Sequence, residues 1–100
     1  MNPDINSSVS EKELQANVVS LAKLLGWFVY HTYDSRRCEP GFPDLVLVRD
    51  GRVIFAELKR ERGRLTVHQK AWAERLRECM GVEVYVWRPS NWNDIEWALK

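Results

Sequence analysis

The dipeptide Asp50-Gly51, set between the apolar runs DLVLVR (44–49) and VIFAELK (53–59), constrains this chain more than any other feature. Asp-Gly between alternating apolar residues is the strongest short hairpin signal, because a two-residue type I′ turn needs positive φ at both central positions. Such a turn sets the register. Arg49 faces Arg52, Val48 faces Val53, Leu47 faces Ile54, Val46 faces Phe55 and Leu45 faces Ala56. The next facing pair is Asp44 and Glu57, with Cβ atoms roughly 4.5–5.5 Å apart. Lys59, two residues beyond Glu57, points to the same face. Like charges opposed across strands destabilise a sheet, and apolar neighbours sharpen the repulsion by lowering the local dielectric. A divalent cation between the two carboxylates relieves it, since Mg²⁺ is commonly held by one or two carboxylates plus waters and phosphate oxygens. A plainer account has Lys59 neutralising Glu57 while Asp44 caps a turn after Pro43. The register that brings the pieces together favours the metal.

The remaining elements follow from local signals. Ser10 and Glu13 form a capping box before a run with Leu14, Val18, Leu21 and Leu25 at helical spacing, and Gly26 ends it. WFVYHTY (27–33) is aromatic and β-branched and reads as a strand; DSRRCEPGFP (34–43) is a loop. Thr66 is the expected N-cap of a second amphipathic helix with Ala71, Trp72, Leu76 and Met80 on one side, stopping at Gly81. VEVYVWR (82–88) is a fourth strand and PSNWNDIEWALK (89–100) a closing helix. The order α-β-β-β-α-β-α describes an α/β domain, a mixed sheet flanked by helices. We expect residues 1–100 to form a single domain, with the polar first eight residues flexible.

Fifteen Lys and Arg against fourteen Asp and Glu give a net charge of +1, which excludes a globally basic nucleic-acid binder. Polyanion contacts must come from local clusters: Arg36 and Arg37, and the run KRERGR (59–64), with Arg60, Arg62 and Arg64. Cys38 and Cys79 lack disulfide-framework or zinc spacing, and no membrane-length apolar run or signal segment occurs, which suggests a cytoplasmic location. Five tryptophans suit core filling, and Trp87, Trp92 and Trp97 offer a dimer surface as well.

Two further candidates lie on helices. The stripe through Leu14 and Val18 extends back to Glu11, about 40° from its centre, making Glu11 a third acid able to reach the metal through water. Gln69, in the first turn of the second helix, should lie near the end of the strand bearing Glu57. His31 and His68 are assigned no catalytic role.

The ordered set Glu11, Gly41-Phe42-Pro43-Asp44, Glu57-Leu58-Lys59 and Gln69 resembles the PD-(D/E)xK nuclease superfamily. Within it, the set is most similar to the stand-alone VRR-NUC domains of bacteria and their phages, over about Ser10 to Arg88. The resemblance implies a restriction-endonuclease-like core and a metal-dependent DNA endonuclease. Asp44 and Glu57 would be metal ligands with the Leu58 carbonyl, Lys59 would activate or position the attacking water, Glu11 would support the metal shell, and Gln69 would assist. Mg²⁺ is the implied cofactor, with Mn²⁺ substituting. Branched DNA such as a Holliday junction, cut by a homodimer, is the implied substrate, in a bacterial cell and from a chromosomal or phage gene. The chain departs mildly from the family in having Thr66-Val67-His68-Gln69 where Thr-Pro-x-Gln is common. The arginine contacts are read from charge alone. The alternatives are a non-catalytic DNA-binding or scaffolding module with a nuclease-like fold, and a purely structural α/β protein.

Overall fold

Positive φ at both Asp50 (50°) and Gly51 (78°) produces the two-residue turn that this dipeptide prefers. The computed structural model describes residues 3–32 and 37–100. In it the turn joins β2 (Leu45–Arg49) to β3 (Arg52–Leu58), in the register expected, from Arg49 opposite Arg52 to Leu45 opposite Ala56. The other strands are β1 (Phe28–His31), antiparallel to β2, and β4 (Val82–Trp87), parallel to β3. Among the described residues they form one mixed sheet in the order β1-β2-β3-β4. The helices are α1 (Pro3–Ser7), α2 (Glu11–Leu24), α3 (Val67–Arg77) and α4 (Trp92–Leu99), the last preceded by a 3₁₀ turn at Pro89–Asn91.

Local chemistry explains the helix ends. The Ser10 hydroxyl accepts from the Glu13 N–H, and the Glu13 carboxylate accepts from the Ser10 N–H. At the other end of α2, Gly26 (φ 89°) allows the Trp27 N–H to reach the Ala22 carbonyl and its own N–H to reach Lys23, a Schellman closure. A short helix, α1, occupies Pro3–Ser7, where the polar stretch signals no element. It bonds onward through the Val9 N–H to the Asn6 carbonyl.

Strand alternation gives the sheet two different faces. Leu45, Leu47, Ile54, Ala56 and Leu58 are fully buried on one face, against Leu14, Val18 and Ala22 of α2 and Ile95, Ala98 and Leu99 of α4. Val46, Val53, Phe55 and Glu57 lie on the opposite face, where Phe42 packs edge-on against both Phe55 and Trp72 of α3. The result is a three-layer α/β fold, with α3 forming the crossover between parallel β3 and β4.

Three expectations change. Helix α3 ends at Arg77 rather than near Met80, because Glu78 and Cys79 turn to i→i−3 hydrogen bonds. Ala73 is its buried residue, whereas Ala71 is exposed and Met80 is 99% exposed. Of the aromatic residues offered as a dimer surface, Trp87 is buried and stacked on Tyr85, and Trp92 packs on the core, leaving Trp97, 80% exposed. The C-terminal carbonyls of α4 are closed by arginines that carry no such signal in the sequence. Arg49 donates to Leu99 and Lys100, Arg52 donates to Ala98, and both guanidiniums lie over the Trp27 ring. No helix among the described residues is long and apolar enough to cross a membrane.

Candidate active site

Asp44 precedes β2 and sits beside Glu57 at the end of the sheet. Its Oδ2 accepts the Leu58 N–H at 2.8 Å, so it is tied to the neighbouring strand and does not cap a turn after Pro43. In an extended strand the N–H and C=O of one residue project to the same side. The Leu58 carbonyl therefore faces the same flank as Asp44. Glu57 is 6% exposed; its Oε1 accepts from Gln69 Nε2 at 2.7 Å, and its Oε2 is buried with no hydrogen-bond partner. Lys59 is 9% exposed, and its charge favours the ionised form of both acids.

The electrostatics follow from burial. Removal from water, then the neighbouring Asp44 charge, push the Glu57 carboxyl up to about 8. Burial also raises Asp44, opposed by the Leu58 N–H, the adjoining Glu57 carboxyl and the Lys59 charge. Two acceptors facing each other need something positive between them. At neutral pH a proton on Glu57 serves; a cation would serve equally.

Gln69 owes its position to its own helix and to a glycine. Thr66 and Gln69 form a capping box, in which the Thr66 N–H donates to Gln69 Oε1 at 2.8 Å and Gln69 N–H to Thr66 Oγ1 at 3.1 Å. One side-chain amide thus closes the helix start through its oxygen and holds Glu57 through its nitrogen. Gly41 (φ 87°) lies so close to this turn that a Cβ there would stand 2.3 Å from the His68 carbonyl carbon and 2.7 Å from Gln69 N. The Trp72 indole donates to the Pro40 carbonyl at 3.1 Å, fastening the same loop to α3. The loop after Lys59 is held in turn by Arg88, whose Nη1 donates to the carbonyls of Arg60, Glu61 and Gly63.

Two cavities meet at Asp44 and Thr32. One, about 260 Å³, runs under α3 and is lined by Glu57, Gln69, Glu39 and Cys38. The other, about 390 Å³, rounds the sheet end and is lined by Glu11, Lys12, Gln15, His31 and Leu58. Glu11 thus shares a cavity with Asp44; its spacing continues the stripe of Leu14, Val18 and Ala22, but as the first residue of α2 it is exposed rather than buried. His31 lies 3.4 Å from the Gln15 amide, a partner its strand position does not reveal. His68 is exposed, as are both free cysteines. Arg37, Arg60, Arg62 and Arg64 are exposed, and Arg36 lies outside the described residues. Among the described residues no group of three or more His, Cys, Asp or Glu gathers as a metal site. The set that fits a cation is smaller: two carboxylates, one with a partnerless buried oxygen, and a backbone carbonyl beside them. All-oxygen donors of this number suit Mg²⁺ or Mn²⁺ completing their shells with water and phosphate.

Compared with known proteins, the chain matches the model of the VRR-NUC domain over residues 3–91. It belongs to the VRR-NUC domain family. VRR-NUC is a nuclease-type domain, which implies DNA as the substrate. A solved structure described as a VRR_NUC domain is 27% identical, with a TM-score of 0.63, covering 78% of this chain and 84% of that one. A second, described as a VRR_NUC domain protein, is 22% identical with a TM-score of 0.63, covering 78% and 76%, a likeness of fold alone. Comparison with curated proteins gives no match. The mixed sheet with flanking helices is consistent with the restriction-endonuclease-like fold.

Proposed function

We propose that this VRR-NUC chain is a Mg²⁺-dependent DNA endonuclease of the PD-(D/E)xK type, with Mn²⁺ able to substitute. The observation that carries the reading is Glu57 Oε2, a buried acceptor with no donor, beside a second carboxylate and a lysine. Asp44 and Glu57 would hold the ion together with the Leu58 carbonyl, and Glu11 would support it through water from the adjoining cavity. When bound, the ion supplies Lewis-acid polarisation of a phosphodiester and neutralises its charge. Lys59 holds the attacking water in line and stabilises negative charge building on the phosphate. Gln69 keeps Glu57 Oε1 occupied, so that Oε2 would be the oxygen left to bind the ion. Arg36, Arg37, Arg60, Arg62 and Arg64 grip flanking phosphates, which positions DNA without reading its sequence.

Among the described residues no helix rich in base-reading side chains stands apart from the core, so selectivity rests on DNA shape. Branched DNA such as a four-way junction, cut by a homodimer with two sites related by a two-fold axis, is the substrate and assembly we infer. A non-catalytic DNA-binding or scaffolding module is the second reading, favoured by Glu11 not joining the pair in a three-acid cluster. Cleavage of supercoiled, linear and four-way-junction DNA in Mg²⁺, Mn²⁺ or EDTA separates the two. We expect metal-dependent cutting, fastest on the junction, reduced about 10²–10³-fold in Lys59→Ala, as for loss of one charge-stabilising group. DNA binding with no metal-dependent cutting of any substrate would leave the module reading standing.

A further inference from the structure

We propose that the groove between α2 and β1 is a DNA-backbone site that leads a substrate strand to the acid pair, with Lys12 and Lys23 as its phosphate contacts. The inference rests on the nuclease reading and adds a path that none of the arginines provides. The groove has a volume of about 500 Å³ and adjoins the cavity that holds Asp44. It shares Lys12, Gln15 and His31 with the 390 Å³ cavity, which shares Thr32 and Asp44 with the cavity under α3. Three adjoining cavities thus follow one another from Gln69, past the carboxylates, to the first long helix.

Charge changes sign along that series. The portion around Asp44 also carries Glu11, whereas the α2/β1 portion is lined by two lysines and no acid. A cation site at the carboxylates followed by bare ammonium groups is the arrangement a polyanion needs if its scissile phosphate is to sit at the acids. Lys12 and Lys23 are eleven residues apart, about three helical turns, so they share one face of α2 with a separation of about 16 Å. Along one strand of B-DNA, at 3.4 Å per nucleotide, this spans about five nucleotides. Ala16 and Val19 lie between them; their short side chains leave the floor open, and the hydroxyls of Ser20 and Tyr30 add donors along the walls. Both lysines are exposed, so their ammonium groups reach solvent without a burial cost.

The test is binding of a fluorescent DNA duplex in EDTA, followed by anisotropy between 50 and 200 mM salt, for the full chain and for Lys12→Gln/Lys23→Gln. Each lost phosphate contact should flatten the slope of log K against log salt by about 0.9, so the double variant should lose roughly 1.8. Lys12→Arg/Lys23→Arg should restore the slope. Arg77→Gln, at the far end of α3, should leave it unchanged. Unaltered thermal unfolding of the variants excludes misfolding as the cause. A wild-type protein that cuts DNA while the double variant keeps the full slope overturns the groove and leaves the nuclease reading intact. Binding that depends on the lysines in a protein that never cuts does the reverse. A wild-type protein with no affinity for duplex overturns the groove outright.

Discussion

Glu57 carries a conflict that burial creates and that the proposed cation would resolve. Unfolded, its carboxyl ionises near 4.5; folded, it holds its proton up to about 8. Its contribution to stability is therefore complete below about 4.5 and is lost as pH rises through about 8. Without metal, the thermal midpoint of the wild type should fall between pH 5 and 9 more steeply than that of Glu57→Gln, whose amide does not titrate. At pH 9 the variant should be the more stable of the two. Scanning calorimetry across that range checks both statements, and equal slopes would contradict them. The proposed Mg²⁺ would have to displace this proton, so its stabilising effect should be larger at pH 8 than at pH 6 and absent in Asp44→Asn. At this scale the alignment of Asp44, Glu57 and Lys59 is legible in the sequence, because strand alternation and one turn suffice to produce it. The Gln69–Glu57 bond, the partnerless Oε2 and the exposure of Glu11 are not. Each depends on where a distant helix begins.

Helix α3 is the element that turns an aligned pair of acids into a site. Its N-terminus is held by its own capping box, by the Trp72–Pro40 hydrogen bond and by the close approach of Gly41. Gly41→Ala places a methyl group against backbone that cannot yield as a flexible side chain would, at a φ that disfavours any side chain. It should cost about 1–3 kcal/mol, in the range for overpacking, and should lower cleavage by shifting Gln69 away from Glu57. Denaturant melts and cleavage rates of the variant test this; a stable variant with full activity would contradict it. The helix caps and the hairpin are readable because they involve neighbours in the chain. The true end of α3 is not, since the apolar Met80 continues the pattern while the backbone has already tightened. Nor are the arginine clasps: Arg49, Arg52 and Arg88 look like surface cations until they are seen donating to carbonyls of remote segments.

For the whole molecule, near-neutral charge places any affinity for DNA in local features rather than in a global field. The homodimer we infer should have about twice the 11.8 kDa chain mass by light scattering, and it should cut opposite strands of a junction in one encounter. A monomer that nicks junctions and linear duplex alike would remove both the dimer and the shape selectivity. The amino-acid sequence by itself determined which residues of β2 and β3 pair, where α2 and α3 start and how side chains alternate between the faces of that hairpin. Those outcomes follow from dihedral preferences and side-chain periodicity acting over a few residues. Only the tertiary structure decided that Glu57 would be buried against Gln69 of α3 with Asp44 beside it, and that two lysines of α2 would line a cavity adjoining the one that holds Asp44. Dielectric environment and cavity shape are set by segments far apart in the chain, and no local pattern encodes them.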